Sequence, residues 1–289
     1  MTSLGVVFRP QLPPERLRAY ARLAQDSGLD ELWLWEDCFL AGGVSAAAAA
    51  LAWTERLRVG IGLLPVPLRN VAVTAMETAA LHRMFPGRAS VVVGHGVQDW
   101  MGQVGARAAS PLTLLGEHLD ALRALLRGEK LTVQGRYVTL DGVALDWPPP
   151  RPAPVLAGAT GPRTLRLSGA KADGTLLTCA TSPDGVREAR RLIEEGRAAA
   201  GRAQPHRVVV YLLAATGAGA AERVRADLAA EHAGPGAGVA GDAAAVAEAV
   251  RRLADAGADT VVLQPTSGEP DPEGFVRFAA EQVLPLVRR

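Results

Sequence analysis

The sequence predicts one (β/α)8 barrel of the α/β class over residues 1–289, with short insertions. Short apolar runs with β character alternate with amphipathic helical runs along the whole chain. Eight strand candidates can be recognised, and most of them are followed by a helix, which is the pattern of a closed parallel barrel. The alternative is an open doubly wound sheet, which usually has a glycine-rich loop after its first strand. Phe8-Arg9-Pro10-Gln11 has no such loop, so the barrel is favoured.

The predicted strands are short, apolar and bounded by turn or helix signals. They are Leu4–Phe8, Glu31–Glu36, Arg58–Leu64, Ala89–Gly94, Pro154–Ala157, Gly174–Thr178, Arg207–Leu213 and Asp259–Leu263. A small β-hairpin over residues 131–140, centred on Gln134-Gly135, is expected as an insertion before the fifth barrel strand.

Helix signals lie between these strands. Proline suits the first helical turn, so Pro13-Pro14 is expected to open the first helix, which Gly28 closes. Ser45 is expected to cap a second, alanine-rich helix that stops near Thr54. The other predicted helices are Val71–Met84, Pro111–Arg127, Gly161–Gly169, Asp184–Ala200, Ala220–Ala230, Asp242–Ala256 and Pro272–Val287. The glycine-rich stretch 234–241 is expected to be a loop within the domain.

The composition narrows the class of protein. The formal net charge of +1 gives no electrostatic reason to expect a nucleic acid or an anionic membrane as partner. Two cysteines imply no disulfide framework and fit the cytoplasm. Met1–Pro10 lacks the features of a secretory signal, and no apolar run is long enough to cross a bilayer. We therefore expect a soluble, cytoplasmic protein.

The reacting site of such a barrel lies on the loops that follow the strands' C-terminal ends. Gly158–Arg163 is the most interpretable of these loops. Its glycines let the backbone approach a ligand closely, and Pro162 is expected to begin a helix whose free N–H groups suit a phosphate. Thr160 and Arg163 would add side-chain donors. The plain alternative is a capped helix with a solvated arginine.

Two titratable residues in these loops are candidate catalytic groups. His95, between Gly94 and Gly96, would serve as an acid, a base or a hydrogen-bond donor over a planar ring, or else as a structural loop residue. Asp37 would orient a hydrogen bond to a cofactor, or else cap the next segment. The histidines show no spacing typical of zinc ligands, so no metal site is expected.

Aromatic and thiol side chains near these loops are candidates for the substrate pocket. Trp33, Trp35 and Trp100 would form an aromatic wall, but Trp33 and Trp35 share one strand face, so at least one of them belongs to the core. Cys38 is expected to line the pocket or to pack, rather than to react, because nothing in the sequence favours a lowered thiol pKa.

The same loops carry a resemblance to a known family. The stretch 57–96, with Phe85-Pro86-Gly87-Arg88 and then Val91–Gly96, resembles the luciferase-like monooxygenase superfamily, in particular its branch that uses coenzyme F-420, a 5-deazaflavin. The Gly158–Arg163 loop, followed by Ala172-Asp173-Gly174, is similar to that family at the corresponding place. The resemblance spans nearly the whole chain and is strongest at 57–96.

The resemblance implies a cofactor site and a homodimer. It places the family's acidic residue near the ring on Asp37, and a strand bulge, often with a cis peptide, at Gly62-Leu63. The implied cofactor-binding residues are Asp37, Gly62, Leu63, Gly94, His95, Gly96, Gly158, Ala159, Thr160, Gly161, Pro162 and Arg163. Two positions depart from the family: Cys38 stands where several relatives have histidine, and Val97 stands where some have a proton-transferring glutamate.

Three functions follow as hypotheses. The first is a coenzyme F-420-dependent oxidoreductase that transfers a hydride to or from an unknown small organic substrate. The alternative is an FMN-dependent monooxygenase, which oxygen consumption would distinguish because deazaflavin lacks the ring nitrogen needed for ready oxygen chemistry. The departures at Cys38 and Val97 keep open a non-catalytic flavin-binding protein. The phosphate loop alone also leaves open a metal-dependent or phosphosugar barrel enzyme.

Overall fold

The computed structural model describes residues 2–231, 233–234 and 236–288. Met1 and Arg289 of the predicted domain, and Pro235 of the predicted loop 234–241, lie outside the described residues. Within the described chain, no helix combines the length and the apolar character that a membrane span requires.

Eight parallel strands close into a barrel, as the sequence predicts. In chain order the described strands are β1 (Ser3–Val7), β2 (Glu31–Leu34), β3 (Arg58–Pro65), β4 (Ala89–Gly94), β5 (Leu131–Gln134), β6 (Thr139–Val143), β7 (Val155–Gly158), β8 (Gly174–Leu177), β9 (Arg207–Ala215), β10 (Val239–Ala240) and β11 (Thr260–Pro265). Three of these strands, β5, β6 and β10, lie outside the barrel. The barrel order is β9-β11-β1-β2-β3-β4-β7-β8, and β8 pairs back with β9 to close it. The antiparallel pair β5–β6 is the predicted hairpin, with its second strand reaching Val143.

Helices follow most barrel strands and cover the outside of the barrel. They are α1 (Leu17–Asp26), α2 (Gly43–Ala52), α3 (Val71–Met84), α4 (Gln98–Gln103), α5 (Pro111–Leu126), α6 (Pro162–Lys171), α7 (Pro183–Ala199), α8 (Ala220–Ala230), α9 (Ala243–Asp255), α10 (Pro272–Arg277) and α11 (Leu284–Val287). A π-helical segment, Phe278–Val283, joins α10 to α11, so the last predicted helix is continuous but not α-helical throughout.

Three local predictions are wrong or incomplete. Ser45 is not the cap of α2, because the helix begins at Gly43 with Gly42 before it. The Glu36 carboxylate instead accepts a 2.8 Å hydrogen bond from the Gly43 N–H. The short helix α4 and the two-residue strand β10, which pairs with the end of β9, were not predicted.

The apolar core has two parts. The larger cluster lies between the barrel and its helices, and it includes Leu4, Leu32 and Leu119, all without exposed surface. A second cluster fills the barrel interior around Trp33 and Tyr211. Filling the interior with side chains is typical of eight-stranded barrels, and it confines any ligand to the ends of the strands.

Strand β3 is irregular at its centre. Its pairing with β4 shifts register between Ile61 and Leu64, and the Gly62–Leu63 peptide is cis, as the resemblance implies. A second cis peptide, Cys38–Phe39, follows β2 and was not predicted. The bulge turns Leu63 toward the C-terminal end of the barrel.

Candidate active site

A cavity of about 540 Å³ opens at the C-terminal ends of the barrel strands. Its lining includes residues from or soon after all eight barrel strands, as expected for this fold. The lining residues are Arg9, Gln11, Trp35, Glu36, Asp37, Gly62, Leu63, Pro65, His95, Gly96, Val97, Trp100, Gly158, Ala159, Thr160, Thr164, Leu176, Thr178, Cys179, Tyr211, Glu231 and Gln264.

Most of the residues singled out from the sequence line this one cavity. These are Asp37, Gly62, Leu63, His95, Gly96, Trp100, Gly158, Ala159 and Thr160. Five others do not line it: Cys38, Gly94, Gly161, Pro162 and Arg163. Cys38 is not among the residues that line this cavity, and its place in a substrate pocket stays a prediction. Gly161, Pro162 and Arg163 belong to the start of α6, beside the cavity.

Leu63 explains why glycine stands in β4 and β7. A Cβ atom at Gly94 would lie 2.5 Å from Leu63 Cδ2, and a Cβ at Gly158 would lie at the same distance. Both strands therefore leave room for the leucine that the bulge in β3 projects between them. Gly94 thus bears on the cavity through Leu63, which forms part of its floor.

The start of α6 is a set of hydrogen-bond donors at the cavity edge. Pro162 occupies the first turn, and the first intrahelical bond runs from Leu165 N to Gly161 O. The N–H groups of Arg163 and Thr164 precede that bond and carry the partial positive charge of a helix N-terminus. The space around Gly161 is open, with no atom within 4 Å of a Cβ built there. This donor set fits the phosphate of a flavin-type cofactor.

His95 is held against the same helix. Its Nε2 lies 3.2 Å from Thr164 Oγ1, and the pair can be bonded in either direction, according to the tautomer. Nδ1 is buried and forms no hydrogen bond with a described residue. Burial lowers the pKa of His95, and the Pro111 carbonyl opposes this only in part. The imidazole is therefore neutral near pH 7.

Asp37 is the half-buried carboxylate of the cavity. Trp35 Nε1 donates a 2.9 Å hydrogen bond to its Oδ2. Burial raises the pKa of Asp37, the Trp35 hydrogen bond and Arg9 lower it, and Glu231 raises it further. The net effect is upward, so this carboxyl holds a proton more readily than an exposed aspartate.

Several lining residues were missed in the sequence. Arg9 follows β1, Thr178 and Cys179 follow β8, and Gln264 lies near the end of β11. Their positions after strands were a signal that could have found them. Tyr211 lies within β9, and only its inward orientation, which depends on strand register, brings it under the cavity. Its hydroxyl donates a 3.2 Å hydrogen bond to the Gly62 carbonyl and supports the bulge from below.

Comparison with known families agrees with this arrangement. Residues 4–234 match the luciferase-like monooxygenase family. The chain belongs to that family. The match includes β1, the bulged strand β3 and the loop before α6, so the cavity of this family member lies almost wholly within it.

Individual relatives have modest sequence identity to this chain. A 5,10-methylenetetrahydromethanopterin reductase from Methanolobus tindarius is 31% identical over 201 residues, covering 69% of this chain and 61% of the relative. An F-420-dependent glucose-6-phosphate dehydrogenase from Nakamurella multipartita is 29% identical over 216 residues, covering 64% of this chain and 62% of the relative. This luciferase-like chain thus spans about three fifths of the length of these curated relatives.

The fold is shared with a solved family structure. An F-420-dependent secondary alcohol dehydrogenase in complex with an F-420–acetone adduct superposes with a TM-score of 0.88 at 22% sequence identity, covering 100% of this chain and 99% of that one. At this identity the likeness shows a common luciferase-like barrel.

Proposed function

We propose that this protein is an oxidoreductase that binds coenzyme F-420 and transfers a hydride between the deazaflavin and a small organic substrate. The observation that carries the proposal is the cavity itself, which combines the donor-rich start of α6, the floor at Leu63 and the carboxyl of Asp37. Two curated relatives whose names state a reductase and an F-420-dependent dehydrogenase support the same reading.

Different residues in and beside the cavity would bind different parts of a deazaflavin. When bound, coenzyme F-420 supplies the hydride chemistry. The N–H groups at the start of α6 and the hydroxyl of Thr160 hold its phosphate. Leu63 and the Gly62 backbone form the surface under its ring, and Trp35 and Trp100 exclude water from the side of the cavity.

Asp37 and His95 are the residues that hold or move a proton. The raised pKa of Asp37 suits a group that exchanges a proton near the ring. Neutral His95, fixed by Thr164, lines the same cavity as Asp37.

The proposal includes a homodimer in the cytoplasm. The outer face of α3 carries exposed apolar side chains at helical spacing, Val73, Met76 and Met84. Burying that face against a second copy would remove it from water. Both cysteines are free, which fits a reducing compartment.

The test is a pair of fluorescence titrations of cofactor-free protein, one with coenzyme F-420 and one with FMN. We expect a dissociation constant of about 1 μM or below for the deazaflavin and much weaker FMN binding. Tight FMN binding with oxygen consumption would instead assign a monooxygenase. Deazaflavin binding without turnover of any donor or acceptor would leave a binding protein, and binding of neither cofactor would overturn the proposal.

A further inference from the structure

A second, larger cavity lies at the opposite end of the barrel. It has a volume of about 850 Å³, and the first residues of six barrel strands contribute to its wall. Those residues are Ser3, Glu31, Arg58, Ala89, Arg207 and Thr260. Nothing in the proposed oxidoreductase function uses this end of the barrel, where side chains usually serve stability alone.

One buried carboxylate at this end is shared by two arginines. Glu31 is 2% exposed, and its Oε1 lies 3.0 Å from Arg58 Nη2 and 2.5 Å from Arg207 Nη2. Its other oxygen accepts a 2.8 Å hydrogen bond from Trp33 Nε1. Both carboxylate oxygens of Glu31 are therefore engaged, and its single negative charge balances only one of the two guanidinium charges.

The remaining charged groups of the cavity leave a positive excess. Asp259 also lines it, but that carboxylate already accepts from Arg190 and from the Val208 N–H. Arg151 adds a third, exposed guanidinium on the rim. Burial lowers the pKa of His82, the last titratable group of the wall, so it is neutral near pH 7. Three arginines against two carboxylates leave the wall with a net charge of +1, which favours small anions.

The arginines also have donors to spare. Arg58 and Arg207 keep 43% and 31% of their side chains exposed at the cavity. The Nε of Arg58 is buried without a hydrogen-bond partner among the described residues. Arg58 Nη2 donates to Ser3 Oγ at 3.1 Å, Arg207 Nη2 donates to Thr260 Oγ1 at 2.8 Å, and Arg207 Nη1 donates to Ser90 Oγ at 3.4 Å. Both Nη2 groups are thereby engaged, and the Nη1 groups are the donors that face the oxygens of a phosphate or a carboxylate.

From this geometry we infer that the N-terminal end of the barrel binds a small oxyanion, a phosphate or carboxylate group, between Arg58 and Arg207. The ligand supplies the negative charge that Glu31 alone does not. The site is separate from the proposed cofactor cavity, because the packed barrel interior lies between them.

The test is calorimetric titration of the full chain with inorganic phosphate and, separately, with succinate, at constant ionic strength set with chloride. We expect a dissociation constant of about 1 mM or below for at least one anion. The anion that binds more tightly identifies the ligand as a phosphate or a carboxylate. If neither anion gives a measurable heat of binding, the inference is overturned.

Two variants with opposite expected effects locate the binding. Arg58→Gln removes one guanidinium from the half-exposed rim and leaves Glu31 paired with Arg207, so we expect affinity to fall about tenfold. Glu31→Gln keeps an oxygen for Trp33 and removes the competing charge, so we expect affinity to rise several-fold. Arg225→Gln, an exposed arginine outside both cavities, is the matched control and leaves binding unchanged.

These variants also separate the inferred site from the start of α6, which has donors of its own. Anion binding that is equal in wild type, Arg58→Gln and Glu31→Gln would place the ion elsewhere and overturn the inference. Circular dichroism of each variant verifies that it is folded. The coenzyme F-420 titration tests the cavity at the other end of the barrel, so its outcome does not depend on anion binding at Arg58 and Arg207.

Discussion

The indole nitrogen of Trp35 donates a 2.9 Å hydrogen bond to the carboxylate of Asp37, two residues further along the chain. The bond favours the ionised carboxyl, whereas burial favours the protonated one, and burial prevails. Trp35 is also placed by Tyr211, whose ring centroid lies 5.7 Å away. The state of the main carboxyl of the cavity thus depends on a tryptophan that is itself packed on the barrel interior.

Asp37→Asn is expected to weaken coenzyme F-420 binding at least tenfold while leaving the protein as stable as wild type or more so. The folded-state pKa of Asp37 is raised, so its ionised form costs stability as the pH rises above the unfolded value. Asparagine removes that cost and still accepts from Trp35. Cofactor titration and thermal unfolding at pH 8 measure the two effects, and a loss of stability equal to the loss of binding would contradict the assignment.

Trp35→Phe is the companion variant. Loss of the indole donor removes a contribution that lowers the pKa of Asp37, so the pKa rises further. The pH profile of cofactor binding should move to higher pH without a change in its shape. Trp53→Phe, on the outside of the barrel near Arg18, provides a tryptophan control that leaves the profile unchanged.

Gly158→Ala is expected to reshape the floor of the cavity. The added Cβ would meet Leu63 Cδ2 at 2.5 Å and drive the leucine toward the bound ring. We expect a destabilisation of about 1–3 kcal/mol and a loss of cofactor affinity. The double variant Leu63→Ala, Gly158→Ala relieves the clash, so binding should recover in part. Additive effects of the two changes would show that Leu63 and Gly158 are not coupled.

Much of this arrangement follows from residue order, and some of it does not. The loop at Gly158–Arg163 is visible in the sequence because close backbone approach and a helix start favour glycine and proline, whereas the bulge at Gly62-Leu63 was expected only from the family resemblance. The role of Gly94 as a seat for Leu63 was not predictable, since it depends on the register of β3, β4 and β7 together. The cap of α2 was not predictable either. Glu36, which lies outside the helix, accepts the Gly43 N–H in place of the expected Ser45.

Glu36→Gln is expected to destabilise the fold by about 1–3 kcal/mol. Glu36 is 14% exposed, takes two hydrogen bonds from Arg69 and accepts the first N–H of α2. Glutamine can keep only part of this set. Glu77→Gln is the matched control: it is more exposed and makes one contact with Arg69, so its cost should stay below about 1 kcal/mol. Urea unfolding of both variants measures which substitution lowers the free energy of unfolding more.

Buried histidines should make the protein sensitive to acid. Burial lowers the pKa of His118 to about 4, and its Nε2 has no hydrogen-bond partner among the described residues. A depressed histidine pKa gives stability that is present above about 6.5 and is lost as the pH falls toward 4. His118→Leu should therefore flatten the fall in unfolding free energy between pH 6.5 and pH 4.

His206 is the contrasting case. Burial lowers its pKa to about 4 as well, but its Nε2 lies 2.8 Å from Thr175 Oγ1. His206→Leu loses that hydrogen bond and should destabilise the protein at pH 7, unlike His118→Leu. Equal stability changes for the two variants at pH 7 would contradict this distinction.

Met76→Lys tests the proposed dimer. Met76 is 61% exposed at the centre of the apolar face of α3, between Val73 and Met84. A charge there costs little in a monomer, but it would be buried without a partner if two copies meet on this face, at a cost of several kcal/mol. Light scattering after size exclusion should show a dimer for wild type and a monomer for the variant. Arg83→Lys, on the same exposed face without a change of charge, should remain dimeric. A wild-type monomer would overturn the proposed dimer, and a variant that dimerises as well as wild type would move the interface away from α3.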